Sequence, residues 1–239
     1  MSETLLQVEG LIKRFGGFTA LDGVSLEVRA GERLGLIGPN GSGKTTLISC
    51  VAGTLPTDGG RIVFKGTVLG RMPAYRRTRR GIARSYQVPK PFTSMTVLEN
   101  VAVPLEYAGR GGGRDVAARA LEILVSVGLG DKADENSLSL TQIELRKLEL
   151  ARALAAEPEL LIADEVMAGL SNAEVDEVLE LLFAFNGRGI AVIMIEHIMR
   201  AVMRFSQRIV VLDAGTVIAE GAPDDILKNP DVERAYFGE

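Results

Sequence analysis

An α/β fold with an antiparallel β flank and a small helical subdomain is predicted by three features of the chain. Short apolar runs such as Leu160-Leu161-Ile162-Ala163 and Ile190-Ala191-Val192-Ile193-Met194-Ile195 have the length of buried parallel strands, and each ends in polar residues. Amphipathic helical stretches lie between them. Near the N-terminus, apolar and polar residues alternate as they do in half-exposed strands.

The elements follow in order. Leu6-Gln7-Val8-Glu9, Val24-Ser25-Leu26-Glu27-Val28 and Arg61-Ile62-Val63-Phe64-Lys65, the last after the Asp58-Gly59-Gly60 turn, form the flank. Arg33-Leu34-Gly35-Leu36-Ile37 is a short apolar strand, and Leu47 to Ala52 is a helix stopped by Gly53. Six arginines between 71 and 84 form a basic cluster that reads as a solvated helix face, with anionic lipid or nucleic acid as the other partners such a face could meet. Pro89 turns the chain into another layer. Residues from about 96 to 127 are helical, broken at Gly109-Arg110-Gly111-Gly112-Gly113. The helix through Ala155 starts among Ser and Thr caps, puts Leu145, Leu148, Ala151 and Ala155 inward, and leaves Arg146, Lys147, Glu149 and Arg152 on its other sides. Ser171-Asn172-Ala173-Glu174 is a capping box that opens another amphipathic helix. Arg208 to Leu212 and Thr216 to Ala219 flank Asp213-Ala214-Gly215 as a hairpin, and Pro223 starts a short final helix.

The chemistry gathers at Gly38-Pro39-Asn40-Gly41-Ser42-Gly43-Lys44-Thr45-Thr46, which satisfies G-x-x-x-x-G-K-[ST] between a strand and a helix. Glycines leave the backbone amides bare, so Asn40, Gly41, Ser42, Gly43 and their neighbours can converge on a phosphate. Lys44 adds a point charge, Thr45 offers a hydroxyl to Mg²⁺, and the helix N-terminus adds partial positive charge. The stretch therefore reads as a nucleotide site, and a P-loop NTPase core is expected around it. Asp164 and Glu165 stand at the carboxyl end of one strand and His197, the one histidine, at the end of another, where ligands of open α/β sheets collect. Phe15 ends a strand before Gly16-Gly17; it reads as a core residue or as a ring stacked on a nucleobase, the core reading slightly ahead from spacing.

A chain of 239 residues, 46% hydrophobic, suffices for one sizeable α/β domain, and a net charge of −4 gives no bulk attraction to nucleic acid. No run approaches the ~18 apolar residues of a membrane span. Met-Ser-Glu-Thr lacks the regions of a signal peptide, so a cytosolic location is expected. Cys50 is alone and reads as a small buried hydrophobe.

Taken together, these residues resemble the ATP-binding subunits of ABC transporters, closest to those of branched-chain amino acid importers. The likeness runs nearly the whole length: the phosphate loop, Gln87, the signature Leu138-Ser139-Leu140-Thr141-Gln142, Asp164-Glu165, Gly169-Leu170-Ser171 and His197 come in the family's order. The segments Leu11 to Val24 and Asn229 to Gly238 look like the branched-chain subgroup. The resemblance implies one ABC ATPase domain over 1–239, with RecA-like core and β flank in 1–87 and 156–222, the helical subdomain at about 88–155, and a tail at 223–239. It implies ATP and Mg²⁺, with adenine on Phe15, phosphate on Lys44 and Thr46's loop, and metal near Thr45, Gln87 and, through water, Asp164. Glu165 would polarise the attacking water, which Gln87 would also touch, and His197 would bond the γ-phosphate. Ser139 and Gln142 would serve ATP held by a second ATPase subunit, identical or different, in a head-to-tail dimer. The further partners implied are transmembrane permease subunits, sensed by Gln87, and, indirectly, a substrate-binding protein, which places the chain on the inner face of the membrane. Branched-chain or related amino acids are the implied cargo, with urea or other amides close to them.

Leu140 and Thr141 stand where the family commonly has glycines, and Val166 stands where proline often follows the glutamate. The first departure predicts a slow site wherever this signature completes it, because Thr141 brings a side chain to a backbone contact. It also admits a regulatory module that binds ATP without hydrolysing it, a reading opposed by intact Asp164, Glu165 and His197. A soluble ABC ATPase acting on nucleic acid is the other alternative; the chain has neither the coiled-coil insertion nor the second cassette usual there.

Overall fold

The computed structural model describes residues 3–86, 88–108 and 115–237. A long hairpin, β1 (Thr4–Phe15) and β2 (Phe18–Arg29), leads into β3 (Arg33–Ile37) and α1 (Lys44–Ala52). Then come β4 (Gly59–Phe64), β5 (Thr67–Val68), α2 (Ala74–Arg79), β6 (Ile82–Ser85), α3 (Val97–Tyr107), α4 (Val116–Ser126) and α5 (Gln142–Ala155). The chain closes with β7 (Leu160–Asp164), α6 (Asn172–Gly187), β8 (Ala191–Ile195), α7 (Met199–Phe205), β9 (Arg208–Asp213), β10 (Thr216–Gly221), α8 (Pro223–Ile226) and α9 (Pro230–Phe237).

Two sheets result. One is antiparallel in the order β2-β1-β4-β5; the other, β10-β9-β3-β8-β7-β6, is parallel except for its edge strand β10. The parallel strands are buried on both faces, and alternation along them feeds two cores. Leu160 and Ile162 of β7 pack with Leu6, Val28, Leu47, Ile48 and Phe64 between α1 and the antiparallel sheet. Leu161 and Ala163 pack the opposite way, against Leu148, Leu179, Leu182 and Phe185 of the helices. This arrangement sets the ends of β3, β7 and β8 along one edge.

The helices begin where side chains satisfy their first amides. Thr96 and Ser171 each form a reciprocal capping box, with Glu99 and Glu174 three residues on. Gly53 closes α1 in the left-handed conformation at φ 80°.

Four sequence expectations are corrected. The β1 and β2 strands run 12 residues each, well beyond the alternating stretches, because β1 pairs on both sides, with β2 and with β4. The basic cluster is no uniform solvated face: Arg77 is 3% exposed, and Arg84 is turned onto Asp164 at 2.7 Å. On α5, Arg146 and Glu149 are buried, both 7% exposed, since that helix is covered on more than one side. The C-terminal segment forms two helices where one was expected. The Gly109 to Gly113 break and Gln87 lie outside the described residues. Cys50 is fully buried, and burial pushes its thiol up to about 11, so it behaves as the small hydrophobe the sequence suggested.

Candidate nucleotide site

The cleft is built by β3, α1 and the loop between them. Gly38, with φ 150°, sits so close to β9 that a Cβ there would lie 2.0 Å from the Leu212 carbonyl oxygen. Gly43 caps α1 at φ 105°, a conformation costly for L side chains, and a Cβ would meet the Ala20 carbonyl at 2.7 Å. The loop is also tied from outside: Gly215 N–H donates to the Ser42 carbonyl and Asp22 N–H to the Gly215 carbonyl. The β9–β10 hairpin and β2 therefore fix a backbone whose amides the glycines expose.

Around this loop stand Phe15, Phe18, Asn40, Gly41, Ser42, Gly43, Lys44, Thr45, Thr46, Glu165 and His197, which line a single cleft. Lys44 is 6% exposed. Its Nζ donates to the carbonyls of Gly38 at 2.7 Å and Pro39 at 2.9 Å, and to Ser42 Oγ at 3.3 Å. Burial lowers its pKa, and the nearby Glu165 and Asp164 oppose that shift. The ammonium is thus held at the loop, in the field of two carboxylates.

Glu165 and His197 meet across the ends of β7 and β8, with Oε1 and Nε2 2.9 Å apart. Glu165 takes the left-handed conformation at φ 48°, a strained backbone for a non-glycine residue, and its N–H is bonded to the Ile195 carbonyl. His197 is roughly half exposed on its side chain and faces the cleft. Asp164 is buried; Arg84 donates to its Oδ2 and also to Ser49 Oγ on α1, so the guanidinium bridges β7 to the helix of the phosphate loop. Among the described residues no group of three or more His, Cys, Asp or Glu is assembled to cage a metal. The oxygens here, a threonine hydroxyl and a carboxylate, are hard donors of the kind Mg²⁺ takes when phosphates and water complete its shell.

Phe15 is 49% exposed, so the core reading of that residue fails. Its ring stands at the rim of the cleft with Lys13 Nζ 5.3 Å from its centroid. Phe18, paired with it across the hairpin and 63% exposed, completes that rim and was missed. The symmetric Phe-Gly-Gly-Phe spacing was the available signal. Ser139 and Gln142 do not line the cleft. Ser139 Oγ bonds Glu135 and the Asn136 carbonyl, and Gln142 Nε2 reaches the Ala168 carbonyl at 3.4 Å.

Two further residues escaped the sequence reading. Arg84 carried no signal beyond its place in a basic run. Glu196 stands beside His197 at a strand end, was seen only as a polar neighbour, and is 3% exposed with its Oε1 accepting from the Met167 N–H at 2.8 Å.

Known proteins resemble this chain in sequence and fold. A family model described as ABC transporter matches residues 21–168, and one described as branched-chain amino acid ATP-binding cassette transporter matches residues 216–239. The high-affinity branched-chain amino acid transport ATP-binding protein LivG of Salmonella typhimurium is 39% identical, with all of both chains covered. BraF of Pseudomonas aeruginosa, described in the same words, is 35% identical over all of both chains. The ADP conformation of an ATP-binding cassette of an ABC transporter superposes with a TM-score of 0.90 at 30% identity, covering 100% of each chain. A dimeric post-hydrolysis cassette bound to ADP and Pi superposes at 0.82 and 26% identity, over 92% of this chain and 99% of that one. With a phosphate loop, a carboxylate–histidine pair and these relatives in agreement, the chain belongs to the ABC transporter family of ATP-binding proteins.

Proposed function

We propose that the chain hydrolyses ATP to power a membrane permease that imports branched-chain or related amino acids. The observation that carries the reading is the Glu165–His197 pair, 2.9 Å apart at the mouth of the phosphate-loop cleft. Phosphoryl transfer asks little covalent chemistry of a protein; it asks for positioning and charge. Lys44 and the bare amides of the loop bind the β- and γ-phosphates, and Phe15 and Phe18 offer faces to adenine. Glu165 accepts a hydrogen bond from the attacking water, and His197, held by the same carboxylate, bonds the γ-phosphate. Thr45 and Asp164, with Gln87, would hold Mg²⁺. When bound, that ion neutralises charge building on the phosphates.

Ser139 and Gln142 stand outside the cleft, which suits service to ATP bound by a second subunit in a head-to-tail dimer. Helices α3 to α5, the helical subdomain assigned to about 88–155, then form the arm that carries this signature. The permease would dock in the groove between that arm and α2, where Tyr86, Phe92, Pro104 and Tyr107 present apolar surface beside Glu149 and Arg152. No helix among the described residues is long and apolar enough to cross a membrane, so the chain reaches its inner face through that permease. The relatives' names support amino acid cargo.

The test is steady-state ATPase and [¹⁴C]leucine uptake of the reconstituted transporter with Glu165→Gln. Turnover should fall by about 10²-fold or more, with ATP retained, since water positioning is lost and phosphate binding is not. Wild-type-like turnover in that variant refutes the assignment.

A further inference from the structure

The turn that follows β7 is held from two sides. Glu165 N–H donates to the Ile195 carbonyl at 2.9 Å, and Met167 N–H donates to Glu196 Oε1 at 2.8 Å. Glu196 is also the residue that immediately precedes His197 in the chain. One buried side chain thus joins the segment of the proposed base to the segment of the proposed γ-phosphate ligand. From the opposite side, Arg146 Nη2 donates to the Ala168 carbonyl at 3.2 Å and Gln142 Nε2 approaches the same oxygen. Both come from α5, the helix that the signature opens.

Burying a carboxylate is costly unless it is bonded, and a leucine of similar size would fill this space without that cost. Burial first, then the neighbouring Glu165, raise Glu196 to about 7 against the opposing Met167 amide and Arg146. What the carboxylate supplies is a directed acceptor. It meets the Met167 amide two residues after Glu165, from a residue adjacent to His197, and Glu165 itself sits in a backbone conformation that needs support from its surroundings.

We propose that Glu196 is a positioning residue for ATP hydrolysis: standing next to His197 in the chain and accepting from the Met167 amide, it fixes the strained turn of Glu165 against His197. It does not line the phosphate-loop cleft. The proposal rests on the reading that Glu165 and His197 act on the γ-phosphate. Because α5 grips the same turn through Arg146 and Gln142, Glu196 also ties the chain's own catalytic pair to the helix that presents its signature to a partner.

The test compares Glu196→Leu, which keeps volume and loses the acceptor, with Glu196→Gln, which keeps it. In the reconstituted transporter, E196L should lower kcat at least tenfold with KM for ATP within about twofold of wild type, and E196Q should stay within about threefold in kcat, following the usual size of such positioning effects. A second measurement needs no turnover. His197 is the one histidine in the chain, so its ring resonance in ¹³C-histidine-labelled protein reports the Glu165 contact directly. That resonance should move in E196L and stay in E196Q. Equal losses in the two variants, a loss confined to KM, wild-type kcat in E196L, or an unmoved resonance would each overturn the proposal. If Glu165→Gln abolishes turnover while E196L does not, this inference fails alone; if Glu165→Gln turns over normally, the reading beneath it has failed.

Discussion

Replacing Arg77 with alanine would strip the far end of the phosphate-loop helix of its cap. The guanidinium is 3% exposed and faces carbonyl oxygens. Nη1 donates to Cys50 at 2.7 Å and Val51 at 2.9 Å, Nε to Met72 at 2.9 Å and Nη2 to Gly70 at 2.9 Å. Cys50 and Val51 close the last turn of α1, where carbonyls lack i+4 partners and the helix dipole is negative, so a cation belongs there. Among the described residues the Cys50 oxygen otherwise meets only the Gly53 N–H, at 3.3 Å. Each bond to a charged donor is worth about 1.5–3 kcal/mol and a stranded buried carbonyl costs about 1–3 kcal/mol. Simple addition over four bonds overshoots, because burial lowers the pKa of Arg77 and so already costs part of the gain, and water entering the space left by Ala would satisfy some oxygens. The net cost should be about 2–4 kcal/mol, the size of one or two stranded buried carbonyls, since the substitution takes the charge away with the side chain. Lysine, with one compact ammonium in place of a planar fork, should recover no more than about half. Urea unfolding of the purified chain measures both values. A loss under about 1 kcal/mol in R77A would refute the capping argument, since such a value fits a solvated arginine.

Three other outcomes are expected. Gly38→Ala should abolish retention of Mg-ATP by equilibrium dialysis, because the added methyl would lie 2.0 Å from the Leu212 oxygen and must push the loop off β9. Glu196 binds its proton more tightly folded than unfolded, about 7 against 4.5, so its contribution to stability falls as pH rises between those values. Glu196→Gln, which cannot ionise, should match wild type near pH 4.5 in urea unfolding and exceed it by up to about 3 kcal/mol at pH 8; parallel curves would contradict the burial argument. Thr141→Gly should raise steady-state ATPase of the reconstituted transporter if that side chain obstructs the signature, and an unchanged rate removes the idea.

What the sequence made legible was what depends on local pattern. The phosphate loop, the capping box at Ser171, the β9–β10 hairpin and the strand ends at Asp164 and His197 all follow from short-range rules, and the structure places them as read. What stayed hidden depends on a second element packing over the first. Arg77 and Arg84 belong to one basic run, and nothing in that run says that two of its members turn inward, one to helix carbonyls and one to Asp164. Arg146 and Glu149 fall on the polar sides of α5 by helical spacing, yet the helix is covered there too. Phe15 reads as core from spacing, whereas it stands half exposed at the rim of the cleft, which only the packing of the hairpin beside the phosphate loop determines.

The altered signature shows how far a residue-type argument carries before geometry changes it. From sequence, Thr141 was expected to hinder the trans contact by its side chain and its narrower range of φ. In the fold it adopts φ −67° and ψ 170°, a conformation open to any residue, so a glycine's freedom is not what the position uses. The backbone N–H of Thr141 is instead spent on Glu144, whose Oε2 accepts it at 2.8 Å. Lys132 binds the same carboxylate at 2.8 Å, and these bonds hold Glu144 down to about 2. An amide so engaged can turn toward a partner's γ-phosphate only by releasing a carboxylate that remains ionised throughout the neutral range. The obstacle to the proposed trans contact is therefore the Glu144 carboxylate that holds this amide, and the residue whose neutralisation should free the signature is Glu144 as much as Thr141.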